Sequence, residues 1–186
     1  MTGLEDLYRE IVLDHYRNPR NRGQLEVPPA VRAEGFNPLC GDEVVVYLEL
    51  FGDRISDLKI TSQGCSISQS SASMMSAAVK GKTLAEARST IKAFWAMMSL
   101  HGQRLGPGSE GDGDDDVDGA PGGAAGGEED ERTAAEVAAA EGVSLGELEA
   151  LQGVVKFPPR IKCATLSWHT LEQAMSEAAE QAGSRG

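Results

Sequence analysis

The sequence predicts an α+β fold, a small antiparallel sheet of about three strands covered by helices. Three observations predict it. A β-branched and aromatic run, "EVVVYLELF" at 43–51, is followed by Gly52-Asp53 and a second β-prone stretch, the pattern of a two-residue hairpin. Three Ser/Thr-x-x-Glu/Gln groups, at Ser66–Gln69, Thr83–Glu86 and Ser144–Glu147, announce helix starts. The strand signals precede most of the helix signals, so helices are expected on one face of the sheet rather than alternating with its strands.

The elements follow in order. Leu4, Leu7, Tyr8, Ile11 and His15 recur at helical spacing, so a helix is expected over 4–17. Asn18-Pro19 ends it, because proline disfavours an α conformation in the residue before it. The stretch "NPRNRGQLEVPPAV" is a loop, and a strand is expected around Val31–Phe36. Strands at 43–51 and 54–61 form the hairpin. A helix should open just after Cys65, with Ser66 as N-cap and Gln69 at N3, and run to Lys80 before Gly81. The next begins at Thr83 and carries Leu84, Ala87, Ile91, Phe94, Trp95 and Met98 inward. That Met and Trp stripe is core packing. A short helix is expected from Ser144 to about Leu151. A longer one follows Pro158-Pro159 with Ile161, Ala164, Thr165, Trp168, Leu171 and Met175 inward, and the last residues are expected to fray.

Charge is unevenly placed. The chain has 186 residues and a net charge of −12. Residues 104–141 hold twelve acidic residues against only Arg104 and Arg132, and the remainder holds seventeen acids against fifteen bases. The acidity therefore belongs to one Gly-, Asp- and Glu-rich segment that cannot bury enough apolar surface to order itself. The near-neutral remainder offers no basic face for nucleic acid or an anionic membrane. The piece "GDGDDDVDG" lacks the closing glutamate of a calcium loop and flanking amphipathic helices, so calcium is rejected. No stretch approaches the roughly 20 apolar residues of a membrane span. Met1–Arg9 has no apolar signal-peptide core, and the expected location is cytoplasmic. Three widely spaced cysteines, Cys40, Cys65 and Cys163, read as free thiols rather than a disulfide framework.

Each cysteine has a chemically suggestive place. Cys65 lies at the junction of a strand and a helix. A helix N-terminus presents unpaired N–H groups and partial positive charge, which favour thiolate over thiol. Gly64 permits a tight turn there. Cys163 falls near the start of the last helix, just after Arg160 and Lys162, two cations that also favour thiolate. Cys40 and Asp42 are separated by one residue, so in extended backbone their side chains point the same way. Three thiolates and a carboxylate suit a tetrahedral zinc ion. Spacing alone leaves two readings open, a shared metal site or three buried small thiols. Arg160 either caps carbonyls at the surface or sits beside the sulfurs and tunes them. Lys162 is expected in solvent, His15 in a packed or capping role, and His101 and His169 carry no motif.

The segments "LYREIVLDHYRNPRNRG", "NPLCGDEVVVYLEL", "GCSISQSSASMMSAAVKGK" and "LEALQGVVKFPPRIKCATLSW" together resemble the IscU/NifU N-terminal family, and within it the SufU-type branch. The resemblance spans nearly the whole chain outside 104–141. It implies a compact IscU/SufU-like core over 1–103 and 142–178, interrupted by a flexible acidic insertion at 104–141 and followed by a frayed tail at 179–186. It implies a role in iron–sulfur cluster assembly. Scaffold members carry a histidine directly before the third cysteine, where this chain has Lys162, as the SufU-type branch does. The branch implies a zinc-dependent sulfurtransferase with ligands Cys40, Asp42, Cys65 and Cys163 and with Cys40 as sulfur acceptor. Arg160 is expected to assist. The implied partners are a PLP-dependent cysteine desulfurase of the SufS type and a downstream cluster-assembly scaffold, with no nucleic acid and no membrane. The alternative is that the chain is itself the scaffold, holding an iron–sulfur cluster on the same residues. The long acidic segment departs from the branch, which has a short connection there.

Overall fold

A computed structural model describes residues 3–103 and 142–184. The expectations for the insertion at 104–141 and for the His101 side chain lie outside the described residues. Helix α1 covers Gly3–Arg17 and leads into strands β1 (Val31–Asn37), β2 (Asp42–Phe51) and β3 (Arg54–Gln63). Helices α2 (Ser66–Val79) and α3 (Leu84–Gln103) follow. A 3-10 segment, Gly146–Lys156, then precedes α4, Pro158–Gly183.

The sheet is antiparallel throughout, in the order β1-β2-β3. Gly52-Asp53 makes the expected tight turn, with Phe51 opposite Arg54 and Gly52 at φ +64°. Alternation sorts the faces. Val44, Val46 and Leu48 of β2 and Ile55, Leu58 and Ile60 of β3 are buried, as are Val31 and Ala33 of β1. Helices α2 and α4 lie on that face. Trp168 of α4 stacks on Phe94 of α3, with ring centroids 4.0 Å apart and planes at 10°, in the middle of the core. Ile91, Phe94 and Met98 are buried and Trp95 packs against them, the core role expected of the Met and Trp stripe.

The serine-rich sequence of α2 has a packing explanation. Ser68, Ser70, Ser71, Ser73 and Ser76 are all buried. Small side chains let α1 and α4 approach on two sides. Most of the hydroxyls find partners: Ser70 Oγ donates to the Val12 carbonyl at 2.7 Å, and Trp168 Nε1 donates to Ser71 Oγ at 3.2 Å. His15 is 1% exposed and lies between Ser73 Oγ (2.8 Å from Nδ1) and Glu147 Oε2 (2.9 Å from Nε2). It ties α1 to α2 and to the 3-10 segment, the packed role expected of it.

Three local expectations need correction. The N-cap of α2 is Cys65, one residue before the expected Ser66. The Ser144 group does not cap a helix: the segment that follows is 3-10, Leu145 precedes it without a side-chain cap, and Glu147 is drawn to His15 instead. The last helix continues to Gly183, into the 179–186 tail that was expected to fray, although Ala178 is its last buried residue.

Candidate metal centre

The three cysteines arrive at one end of the sheet from three different kinds of support. Cys40 sits in the four-residue loop that joins β1 to β2. Gly41 supplies a positive φ of +67° in that loop. Asp42 is the first residue of β2 and is fully buried, opposite Asn37 of β1. Cys65 ends the turn after β3 and caps α2, its sulfur accepting the Ser68 backbone N–H at 3.4 Å. Cys163 lies in the second turn of α4, fully buried, after the rigid start that Pro158-Pro159 gives that helix.

Their side chains converge. The sulfurs of Cys40 and Cys163 are 3.3 Å apart. One ligand atom each from Cys40, Asp42 and Cys163 all lie within 4.8 Å of one another. Cys65 adjoins this group, its sulfur 3.8 Å from Asp42 Oδ2. The other carboxylate oxygen, Oδ1, accepts the Cys65 backbone N–H at 2.8 Å, so Asp42 positions Cys65 while facing the sulfurs. Gly64 makes that approach possible: at φ +131°, a Cβ on it would collide with the Asp42 carboxylate and with the Asp42 Cα. Sequence reasoning placed a glycine turn here but had no signal for the carboxylate lying against it.

Charge decides what such a cluster wants. Burial first, then Asp42 and the neighbouring thiols of Cys40 and Cys65, push the Cys163 thiol far above the usual thiol range. This overturns the expectation that the flanking cations dominate. Lys162 is exposed. Arg160 is exposed too, yet its guanidinium faces the cluster. A hydrogen bond with Cys163, then the charges of Cys65, Cys163 and Cys40, hold its proton more firmly than usual. One guanidinium stands against four groups that become anions when deprotonated. A divalent cation bound by several sulfurs and one oxygen fits this donor set. The spacing fits as well, since a tetrahedral zinc with bonds of about 2.3 Å separates its sulfurs by about 3.8 Å.

The exposure of the three sulfurs differs. Cys40 is exposed, Cys65 half-buried and Cys163 buried. Leu39, next to Cys40 in the chain, is 71% exposed, and Phe157, whose carbonyl accepts the Arg160 backbone N–H, is exposed as well. One residue near the sulfurs escaped sequence reasoning. Asn37 is buried, and its Nδ2 lies 3.9 Å from the Cys163 sulfur. The Asn-Pro pair before Cys40 was its only trace in the sequence. His169 packs on Trp95 with ring centroids 4.6 Å apart, and neither it nor His15 joins the cluster.

Comparison with known proteins gives a consistent picture. Residues 7–110 match the NifU-like N-terminal domain family. The chain is 40% identical over 174 residues to the zinc-dependent sulfurtransferase SufU of Bacillus subtilis, covering 94% of this chain and 92% of that one. It is 33% identical over 179 residues to the iron–sulfur cluster assembly scaffold protein IscU of Streptococcus pyogenes, covering 96% and 89%. A candidate iron–sulfur cluster assembly scaffold protein of the SUF system from Fervidobacterium islandicum superposes with a TM-score of 0.65 at 29% identity, over 93% of this chain and 99% of that one. The expected α+β fold with a three-stranded antiparallel sheet is the fold of these relatives. No helix among the described residues is long and apolar enough to cross a membrane.

Proposed function

This chain belongs to the NifU-like N-terminal domain family of iron–sulfur cluster assembly, and from that premise we propose that it is a zinc-dependent sulfurtransferase. It accepts persulfide sulfur from a PLP-dependent cysteine desulfurase of the SufS type and passes it to a cluster-assembly scaffold in the cytoplasm. The observation that carries this reading is the pairing of an exposed Cys40 with a buried Cys163 at 3.3 Å beside Asp42. A sulfur acceptor needs one reachable thiolate and a fixed set of partners around it.

Cys40, Asp42, Cys65 and Cys163 would hold the metal. Bound zinc would keep the sulfurs deprotonated and protect them from oxidation while contributing no redox chemistry of its own. The chain's own residues do the rest. The loop on Gly41 presents the Cys40 sulfur at the surface, where a partner's cysteine persulfide reaches it. The Cys40 thiolate attacks the terminal sulfur of that persulfide, forming a new S–S bond. The partner's S–S bond breaks, and its electron pair leaves on the partner's cysteine as thiolate. No net oxidation occurs. Arg160, facing Cys163, Cys65 and Cys40 from the open side, offsets negative charge as the second sulfur arrives. The exposed Leu39 and Phe157, chain neighbours of Cys40 and Arg160, offer apolar surface to such a contact.

The test is a desulfurase turnover assay with and without this chain, paired with peptide mass analysis. Stimulated sulfide release and a gain of one sulfur atom on the Cys40 peptide are expected. Cys40→Ala should still bind zinc through the remaining three residues, more weakly than the parent, while sulfur uptake falls by on the order of 10³-fold or more, as removal of a nucleophile does. Undiminished uptake by that variant rejects the assignment.

The resemblance to the streptococcal scaffold favours a second reading, in which a cluster is assembled on these same residues. Lys162 directly before Cys163 weighs against it, since an ammonium on that exposed site supplies no imidazole ligand. Metal analysis separates the two: colourless protein with zinc supports the transferase, and brown, air-sensitive protein with iron and sulfide supports the scaffold.

A further inference from the structure

Asn37 closes β1 and faces Asp42 across the hairpin. It is only 6% exposed. A buried amide must satisfy both its oxygen and its NH₂ group. The Oδ1 atom accepts the Leu39 backbone N–H at 3.2 Å, an Asx turn that shapes the loop carrying Cys40. The Nδ2 atom donates toward the Cys163 sulfur at 3.9 Å. One side chain therefore braces the loop of one cysteine and contacts the sulfur of another, and those cysteines are 123 positions apart in sequence.

We propose that Asn37 is a positioning residue that fixes Cys163 as the anchored sulfur of the pair, so that Cys40 is the sulfur left free to move. This deepens the metal-site reading above and rests on it. The asymmetry is already present in the supports. Cys163 rides on a helix, is fully buried and receives an amide N–H; Cys40 rides on a short surface loop. An N–H donor on a ligand sulfur withdraws charge from it and fixes its direction. Such outer partners change metal affinity by about 10–100-fold. When Cys40 engages a partner's sulfur, the remaining ligands must hold without rearranging, and Asn37 supplies that for Cys163.

The two tasks of Asn37 are separable by isosteric change. In Asn37→Asp a carboxylate oxygen still accepts the Leu39 N–H, but the group facing Cys163 becomes an acceptor that repels a thiolate. In Asn37→Ser the hydroxyl still accepts the Leu39 N–H and is too short to reach the sulfur. The full chain is loaded with cobalt(II) as a spectroscopic probe and with zinc, and both are titrated against a chromophoric chelator. The metal-loaded protein is then alkylated with iodoacetamide and the modified cysteines mapped by peptide mass. Both variants should lose metal affinity by about 10–100-fold, with an altered thiolate-to-cobalt absorption band. Cys163, protected in the parent, should become alkylated. Far-UV circular dichroism of the metal-free proteins should be unchanged. If either variant folds and keeps parental or tighter affinity with Cys163 still protected, the proposal fails and the metal site stands. If the parent chain binds neither metal, both fall.

Discussion

Two helices of this protein start in opposite ways. At α3, Thr83 and Glu86 cap each other: Thr83 N–H donates to Glu86 Oε2 at 2.8 Å, and Glu86 N–H donates to Thr83 Oγ1 at 3.2 Å. Every atom in that exchange is a good hydrogen-bonding oxygen or nitrogen, and its effect is to secure the helix. At α2 the N-cap is a cysteine whose sulfur accepts from Ser68 N–H at 3.4 Å. Sulfur is a weak acceptor, so the helix start is held less well than a serine would hold it. In exchange the helix end directs partial positive charge at a sulfur that lies 3.8 Å from a buried carboxylate. The same backbone geometry serves stability at one helix and places a proposed ligand sulfur at the other. Departure from good capping chemistry is itself a mark of the functional end of the molecule.

Exchanging the two designs gives the largest expected effect. Cys65→Ser places a strong capping residue at α2 and removes one sulfur of the proposed ligand set. Metal affinity, read by chelator competition, should fall by more than the roughly 100-fold that loss of an outer partner causes. Thermal unfolding of the metal-free variant should match or exceed the parent. A variant that binds zinc as tightly as the parent would remove Cys65 from the site and leave its sulfur as a poor cap and nothing more.

The second effect tests what lies just before each start. Lys82 precedes the Thr83 cap with an ordinary side chain, whereas Gly64 precedes Cys65 at φ +131° with Asp42 packed against it. Gly64→Ala strains the backbone and pushes the carboxylate, so a loss of about 2 kcal/mol in denaturant unfolding is expected. Zinc affinity should fall with it, because Asp42 cannot stay where it is. Retention of parental stability would mean that the turn relaxes freely and that the close packing of Asp42 on Gly64 is dispensable.

The comparison also explains how far the sequence was legible. The strands, their hairpin and the long helices were visible because periodicity and turn chemistry are local. Three Ser/Thr-x-x-Glu/Gln groups looked alike, and only Thr83–Glu86 became a reciprocal cap. At Ser66–Gln69 the cap moved back one residue to Cys65, while Gln69 Nε2 reaches the Gly64 carbonyl at 2.9 Å. At Ser144–Glu147 the glutamate was claimed by His15, 132 positions away. Long-range partners decide such cases, and no window along the chain contains them. The candidate ligands came partly from local placement and chiefly from family resemblance. Their convergence depends on how β2, the α2 turn and α4 meet. Asn37 stayed hidden for the same reason, because its two partners, the Leu39 N–H and the Cys163 sulfur, lie in different parts of the chain.

The smallest expected effect belongs to the purely structural cap, and pH reveals it. Hydrogen bonds from the Thr83 backbone and then from its side chain hold the Glu86 carboxyl below the usual glutamate range. A depressed value in the folded state means that the unfolded chain binds the proton more tightly. The stabilisation is therefore complete above the ordinary glutamate pKa, roughly 4.3, and is lost as pH falls through the lower folded value. Glu86→Gln keeps an acceptor for Thr83 but removes the charge. Its thermal midpoint should lie slightly below the parent at neutral pH, and the gap should close as the pH approaches about 3. Because Glu86 is exposed to solvent, the gap is small at any pH and shrinks further in high salt. Zinc affinity should not change at all, since this helix start lies outside the metal-site residues. A gap that persists undiminished into acid would mean that the charge of Glu86 contributes nothing. A change in zinc affinity would mean that α3 is coupled to the cysteines, and the division between the two helix starts would not hold.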